Sequence, residues 1–404
     1  MKNKKSPGLR KGLATGLAAA LGVGLGGVAG AGTASADPVT LDLKYECTYP
    51  LIGKRSLDLH VRTDIPKKIQ AGTAIPKIQI FWDADLGADT TEGLQAVDGV
   101  KIGGLATAKA RVEAPDFPNG LDVNVRNQLK NTEIPGEGGF TIPGYGEATG
   151  PQFTAPGHGK VTLGDLALKV TVLKSDGGSS ALGTFDAPCT LTPGQNNTVT
   201  EFDVTNDPVT YPPAQNPPAW YPEKTPATAD PGTLNYAFGL KGSSFIKNAN
   251  GTVPLDGDIK VRVDGRTGAI TGDLLLKKTS GQMNILGFLP VTATVDFEQV
   301  GQTVGTYTGG EIATRSTMNI KMPNFQAFGV IPIGGGDNCK TTQPSTVALG
   351  SKTGAFFNPK KGGALSTKDY SIASIKDCGP LEGIISLFAA GSGNTIDLNL
   401  TPRS

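Results

Sequence analysis

Histidine is nearly absent from this chain: His60 and His158 are the only two among 404 residues. Any imidazole-dependent acid–base or nucleophilic chemistry must run through one of them, and both lie in the first half. Charged residues reach 18% and aromatics 6%, while Gly (56) and Pro (29) together make about a fifth of the chain. That balance disfavours coiled coils and helix bundles, because Gly and Pro are costly inside helices but suit the turns between short strands. Glycine does not recur at every third position, which excludes collagen. The sequence lacks a G-x-S-x-G elbow, an H-E-x-x-H pair and a phosphate-cradling G-x-x-x-x-G-K-S/T loop. Elbow-type serine hydrolysis, zinc proteolysis and nucleotide chemistry therefore have no motif to stand on. Beyond residue 36 no run of about eighteen apolar residues occurs, so no spanning helix is expected there.

What is present begins with an export signal. Lys2, Lys4, Lys5, Arg10 and Lys11 precede a small and apolar stretch from Leu13 to Val28, followed by Ala34-Ser35-Ala36. This three-part order predicts a secretory signal peptide over residues 1–36, cleaved before Asp37. Its five basic residues take the formal net charge from +1 to −4 when they leave. A nucleic-acid partner is accordingly not expected.

Four cysteines remain: Cys47, Cys189, Cys339 and Cys378. An even number in an exported chain reads as two disulfides, for which three pairings exist. Between residues 206 and 232 the run NDPVTYPPAQNPPAWYPEKTPATADPG carries eight prolines, enough to break sheet and helix alike and to favour extended polyproline geometry. This predicts a linker between domains 37–205 and 233–404. Two cysteines then fall in each half, which favours Cys47 with Cys189 and Cys339 with Cys378. A metal site on the cysteines is disfavoured, since none are close in sequence and no His lies near them.

Both halves alternate with period two, the signature of strands with one buried face. In the first, Leu41, Leu43, Tyr45 and Cys47 alternate with Asp42, Lys44 and Glu46, and Leu57, Leu59 and Val61 follow after the turn Pro50-Leu51-Ile52-Gly53. Cys47 is expected to point inward. Further strands are predicted at residues 78–82, 160–173 and 199–204. In the second half Tyr236, Phe238 and Leu240 alternate, as do Ile259, Val261 and Val263, with Asn250-Gly251 as a hairpin signal. The fold class is all-β: two β-sandwich domains, immunoglobulin-like or related, with Cys47 and Cys189 bridging first strand to last through the interior. Residues 380–390, PLEGIISLFAA, read as one short helix plugging an end of the second stack.

Few residues offer chemistry. His158, in Pro156-Gly157-His158-Gly159, is the candidate catalytic residue because the glycines predict a loop. His60, between Asp58 and Arg62, reads as a solvated strand residue. Asp83, Asp85, Asp89 and Glu92 put four carboxylates within ten residues, a composition a Ca²⁺ loop would use, although the spacing fits no defined loop and a solvated acidic turn explains it as well. Gly177-Gly178-Ser179-Ser180-Ala181 reads as a turn. Tyr211, Trp220 and Tyr221 are expected to pack the linker against one domain. Residues 285–290 and 324–338 are apolar turn segments that fit either a greasy surface for lipid or polymer or, as expected here, buried connections.

The residues Cys47-Thr48-Tyr49-Pro50-Leu51-Ile52-Gly53, just inside an export signal, resemble the opening motif of a secreted actinobacterial domain of unknown function. The likeness covers roughly residues 37–204 and would include Cys189 as the second cysteine. The second half, with LGFLPVTATV from Leu286 and PIGGGDNC ending at Cys339, is similar to another exported actinobacterial β domain. The resemblance implies export to the cell surface or medium and carries over no catalytic residue. The functional expectation is a secreted, non-catalytic binding or structural protein without cofactor. Its partner would be a cell-wall polymer, a lipid or another surface protein, and the linker would hold two adhesive surfaces apart. The competing expectations are a secreted ester or glycan hydrolase and an extracellular lipid carrier.

Overall fold

The computed structural model describes residues 38–211, 213–285 and 287–403, so the segment 1–36, where a signal peptide is expected, lies outside the described residues. The first sheet contains β1 (Val39–Tyr49), β2 (Gly53–Thr63), β3 (Lys68–Gln70), β4 (Ile78–Leu86), β5 (Lys101–Ala114), β6 (Phe117–Glu133), β7 (Phe140–Ala148), β8 (Gly157–Leu173), β9 (Ser179–Leu191) and β10 (Thr198–Thr205). Helix α1 (Ala88–Ala96) separates β4 from β5. The second sheet contains β11 (Thr233–Ile246), β12 (Gly251–Asp264), β13 (Ala269–Leu276), β14 (Thr279–Ile285), β15 (Leu289–Gln299), β16 (Thr303–Thr308), β17 (Glu311–Ala327) and β18 (Ile331–Gly334). It continues with β19 (Lys340–Thr341), β20 (Ser345–Gly350), β21 (Gly363–Ile372), β22 (Ile375–Lys376) and β23 (Gly391–Pro402), with helix α2 (Glu382–Ala389) just before the last strand.

The all-β, two-sheet architecture follows the alternation in the sequence. In β1, Leu43, Tyr45 and Cys47 are buried while Asp42, Lys44 and Glu46 face solvent. Each sheet also returns on itself. In the first, the order β8-β5-β6-β7-β4-β2-β1-β9 closes because β8 pairs with β9 as well, giving a ring of eight strands. The length of β8 permits this: its first residues pair with β10 and its last with β9. In the second, β11-β23-β21-β20-β17 is completed to β12 by β16 and β13 at one level and by β15 and β14 at another, and β11–β12 pairing shuts the ring. The two layers of the expected sandwich are opposite walls of one continuous sheet, and closure removes the exposed edges an open sandwich would carry. Apolar side chains point in and charged ones out, the reverse of a membrane-spanning barrel. Among the described residues no helix is long and apolar enough to cross a membrane.

The disulfides join Cys47 to Cys189 and Cys339 to Cys378. The first does not cross the interior between layers, as expected, but links neighbouring strands: Cys47 and Cys189 sit opposite one another in the β1–β9 register. Only three residue pairs hold that seam, so the bridge reinforces the place where the first ring closes.

The halves are not held apart. One hydrophobic cluster runs from the first barrel into Leu234, Val263, Ile270 and Tyr307 of the second. The Tyr236 hydroxyl donates to the Ala96 carbonyl (2.8 Å), Gly310 N–H donates to Leu51 O (2.8 Å), and Lys361 pairs with Glu92 (2.7 Å). The proline-rich segment lies along the first barrel instead of spacing the two. Asn131 N–H donates to Glu223 Oε2 (2.7 Å), Thr184 N–H to Ala229 O (2.7 Å), and the Tyr145 and Tyr221 rings meet at 4.6 Å. Tyr211 accepts from Gln70 N–H at 3.1 Å. Proline denies this segment strand pairing of its own, so its carbonyls and side chains serve the barrel wall.

Candidate functional site

An eight-stranded barrel is just wide enough to be filled by its side chains or to leave room for one small ligand. Both barrels leave room. The first encloses a cavity of about 120 Å³, with Ala106, Ala108 and Ala110 of β5 on one wall and Ile80 and Trp82 of β4 also lining it. The alanines create the space, because a strand that turns three methyl groups inward fills far less of a barrel than one bearing Leu or Ile. The second cavity, of about 100 Å³, lies among Phe238, Ile259, Leu274, Tyr307, Leu365 and Leu398.

Smaller voids lie between and beyond them, each sharing wall residues with its neighbour. A void of about 10 Å³ shares Trp82 and Leu166 with the first cavity. It shares Tyr49 as a wall with another of about 10 Å³ at the junction, which in turn shares Tyr307 with the second cavity. Ser244, Phe297, Ile320 and Tyr370 join the second cavity to a void of about 40 Å³ that reaches Ala389 of α2.

The lining is apolar with a few hydroxyls, most of them engaged. Tyr45 donates to Gly164 O (3.0 Å), Tyr307 to Phe357 O (2.9 Å), and Ser244 is bonded to the Tyr370 hydroxyl (2.6 Å). Burial pushes the phenols of Tyr45, Tyr49 and Tyr307 well above their ordinary range, so they stay neutral. Among the buried polar atoms without a protein partner, two belong to residues lining these spaces: Asn127 Oδ1 at the first cavity and the Tyr49 hydroxyl between the small voids. Buried acceptors are ordinarily bonded, so Asn127 Oδ1 marks a place where a polar group on a ligand would be accommodated, whereas the voids beside Tyr49 have room for no more than a water.

The residues singled out from sequence lie elsewhere. His158 belongs to strand β8, not to a loop; its ring is more than half exposed, with Nδ1 3.1 Å from Asp203 and Nε2 3.8 Å from Glu201 on the neighbouring strand. The β10 pairing extends β8 back to Gly157, which overrides the loop signal of the flanking glycines. His60 bridges Asp42 (2.7 Å) and Asp85 (3.2 Å) on the outer wall, and the hydrogen bond that its ring donates to Asp42 leads the effects that raise its pKa. The four carboxylates form no loop. Asp83 and Asp85 stand in β4, Asp89 and Glu92 in α1. Each of three has its own partner: Arg62 for Asp83, His60 for Asp85 and Lys361 for Glu92. Among the described residues no group of three or more His, Cys, Asp or Glu is placed to hold a metal ion. The apolar turn segments divide. Ile285, Phe325 and Ala327 are core, while Phe288, Phe328, Val330 and Ile331 are exposed.

Residues 44–200 match a family whose description is a family of unknown function (DUF6801), so the likeness runs from β1 into β10 and spans the first barrel. The chain matches no curated protein and no solved structure.

Proposed function

We propose that this is an exported, non-catalytic binding protein of the cell envelope or medium, whose barrels take up the apolar part of a lipid-like ligand. The observation that carries this reading is the pair of apolar cavities, of about 120 and 100 Å³, one in each closed barrel. An apolar void of about 150 Å³ holds a benzene-sized molecule, so each cavity suits a ring or the end of an aliphatic chain and not a whole lipid. Two disulfides and a signal-type N-terminal sequence support work outside the cell.

Titration calorimetry with benzene, a probe of the size the cavities admit, tests the reading. Saturable binding is expected, displaced by a medium-chain fatty alcohol, and Ala106→Leu should abolish the portion due to the first cavity. A protein that binds no benzene, or an Ala106→Leu variant that binds as the parent does, would sink the proposal.

A further inference from the structure

The end of the second barrel farthest from the first is greasy. Strand β17 starts at Glu311, beside the junction, and runs 17 residues to Ala327, a span of about 55 Å. Its distal turn carries Phe328 and Val330, 62% and 75% exposed, and Ile331 follows, about half exposed. The adjoining β14–β15 turn carries Phe288, 75% exposed, and is tied to it by Phe328 N–H donating to Pro290 O at 2.9 Å. Helix α2 lies across the same end. Its approach is held by Gly335 N–H donating to Cys378 O (3.0 Å) and its exit by Asn248 Nδ2 donating to Ala390 O (2.6 Å).

The helix identifies what covers this end. Ile385 and Ala389 face inward and belong to the barrel core, whereas Ile384 and Leu387 face outward, Leu387 72% exposed. A short helix apolar on both sides is at home only between two apolar media. One medium is the barrel interior, where the void of about 40 Å³ touches Ala389. The other is a second apolar surface that Ile384 and Leu387 face. The six exposed side chains make an apolar patch on the order of 600 Å², at the upper end of what a monomer leaves open. Charge adds to the choice. The segments 284–290, 327–338 and 377–390 contain Asp337, Asp377 and Glu382 and no Lys or Arg, with Lys247 and Lys376 only at their margins. Attraction to an anionic surface is therefore not what this end is built for.

We propose that this end of the second barrel docks on an uncharged lipid surface, with Phe288, Phe328, Val330, Ile331, Ile384 and Leu387 entering the acyl boundary and α2 lying in the interface plane. The choice of lipid over a second copy of the chain rests in part on the apolar-ligand reading, since docking sets the void beneath α2, which touches Ala389, next to a source of acyl chains. The test is flotation of the full mature chain with phosphatidylcholine vesicles, for the parent, for Phe288→Asp, for Leu387→Asp and for Ala106→Leu. The parent is expected to float, and to do so equally in molar salt. Each tip variant should lose at least tenfold in partition while melting as the parent does, because both side chains stand in solvent. Ala106→Leu should float unchanged, so loss of cavity binding and loss of docking are read separately. A parent that stays at the bottom of the gradient overturns the proposal, as do tip variants that float undiminished. A concentration-dependent dimer in sedimentation velocity, abolished by the same tip variants, would assign the patch to a second copy and overturn it equally.

Discussion

Gly53 and Gly309 meet backbone to backbone across the junction of the barrels: a Cβ built on Gly53 would lie 2.8 Å from the Gly309 Cα. Gly53 also has φ +70°, a conformation open to Gly at little cost. Beside it the Leu51 carbonyl accepts from Gly310 N–H, and Ile52 packs so closely on Gly93 that no side chain fits there. The turn Pro50-Leu51-Ile52-Gly53 is thus the surface on which the second barrel is seated. Gly53→Ala should destabilise the protein by about 2–3 kcal/mol, combining left-handed strain with the clash. Gly72→Ala is the control: φ is +74° but nothing lies within 4 Å, so only the strain of roughly 1 kcal/mol is expected. Equal losses in denaturant unfolding would show that the close approach at the junction contributes nothing.

The two disulfides differ in what they enclose. Cys47 and Cys189 are separated by 142 residues and Cys339 and Cys378 by 39. Loop-entropy reasoning assigns upper figures of about 5 and about 4 kcal/mol. The difference in effect should exceed that difference in energy. With the first bridge removed by Cys47→Ser and Cys189→Ser, three residue pairs are left to hold the β1–β9 seam. The double variant should show hydrogen exchange concentrated along β1 and β9 before global unfolding. Removing the second bridge should loosen the approach to α2 and leave the first barrel's exchange as it was.

His60 gives the outer wall a measurable pH response. Its imidazole lies between Asp42 and Asp85, and these contacts raise its folded pKa above the ordinary value near 6.5. A raised folded pKa means the contribution is fully present below about pH 6.5 and is lost as pH rises through the higher folded value. Because the ring is half exposed, the slope amounts to a few tenths of a kcal/mol. His60→Gln should flatten the stability profile between pH 6 and 8 by that amount. A variant that keeps the same slope would place its origin elsewhere.

Across the junction the sign reverses. Lys361 holds the Glu92 carboxyl below its usual range, chiefly by their hydrogen bond. A depressed folded pKa contributes above the unfolded value, near pH 4.3, and is lost as pH falls through the folded one. Lys361→Ala is expected to cost well under 1 kcal/mol at pH 7, since both groups are more than a third exposed, and nothing at pH 3. Chemical unfolding at the two pH values checks this.

Alternation made the strands of β1, β2, β11 and β12 legible, because each turns polar residues out and apolar ones in. The segment Lys101–Ala114 was not. Its Ala, Lys, Arg and Glu content suits a helix, and only pairing with β6 on one side and β8 on the other makes it a strand. That same strand creates the first cavity, so the property hiding it from propensity, inward alanines in place of branched side chains, is the one that makes the site. Ring closure was equally invisible, since it depends on β8 and β9 meeting late in the chain. A motif search favours histidines and carboxylates, and here those stand on the outer walls with local partners.

Asn127 separates structural and binding roles within the first cavity. Its Nδ2 donates to Val125 O (3.1 Å), but Oδ1 has no protein partner although the residue is only 5% exposed. An unbonded buried amide oxygen costs about 1–3 kcal/mol relative to an apolar group of the same shape. Asn127→Leu, close in size, should therefore leave the free protein as stable as the parent or raise its stability by about 1 kcal/mol. If Oδ1 accepts from the hydroxyl of a bound alcohol, the same variant should weaken displacement of benzene by a fatty alcohol about tenfold and leave displacement by an alkane of equal length unchanged. Loss of both displacements together would make Asn127 a packing residue. Retention of both would mean that the ligand's polar end points away from it.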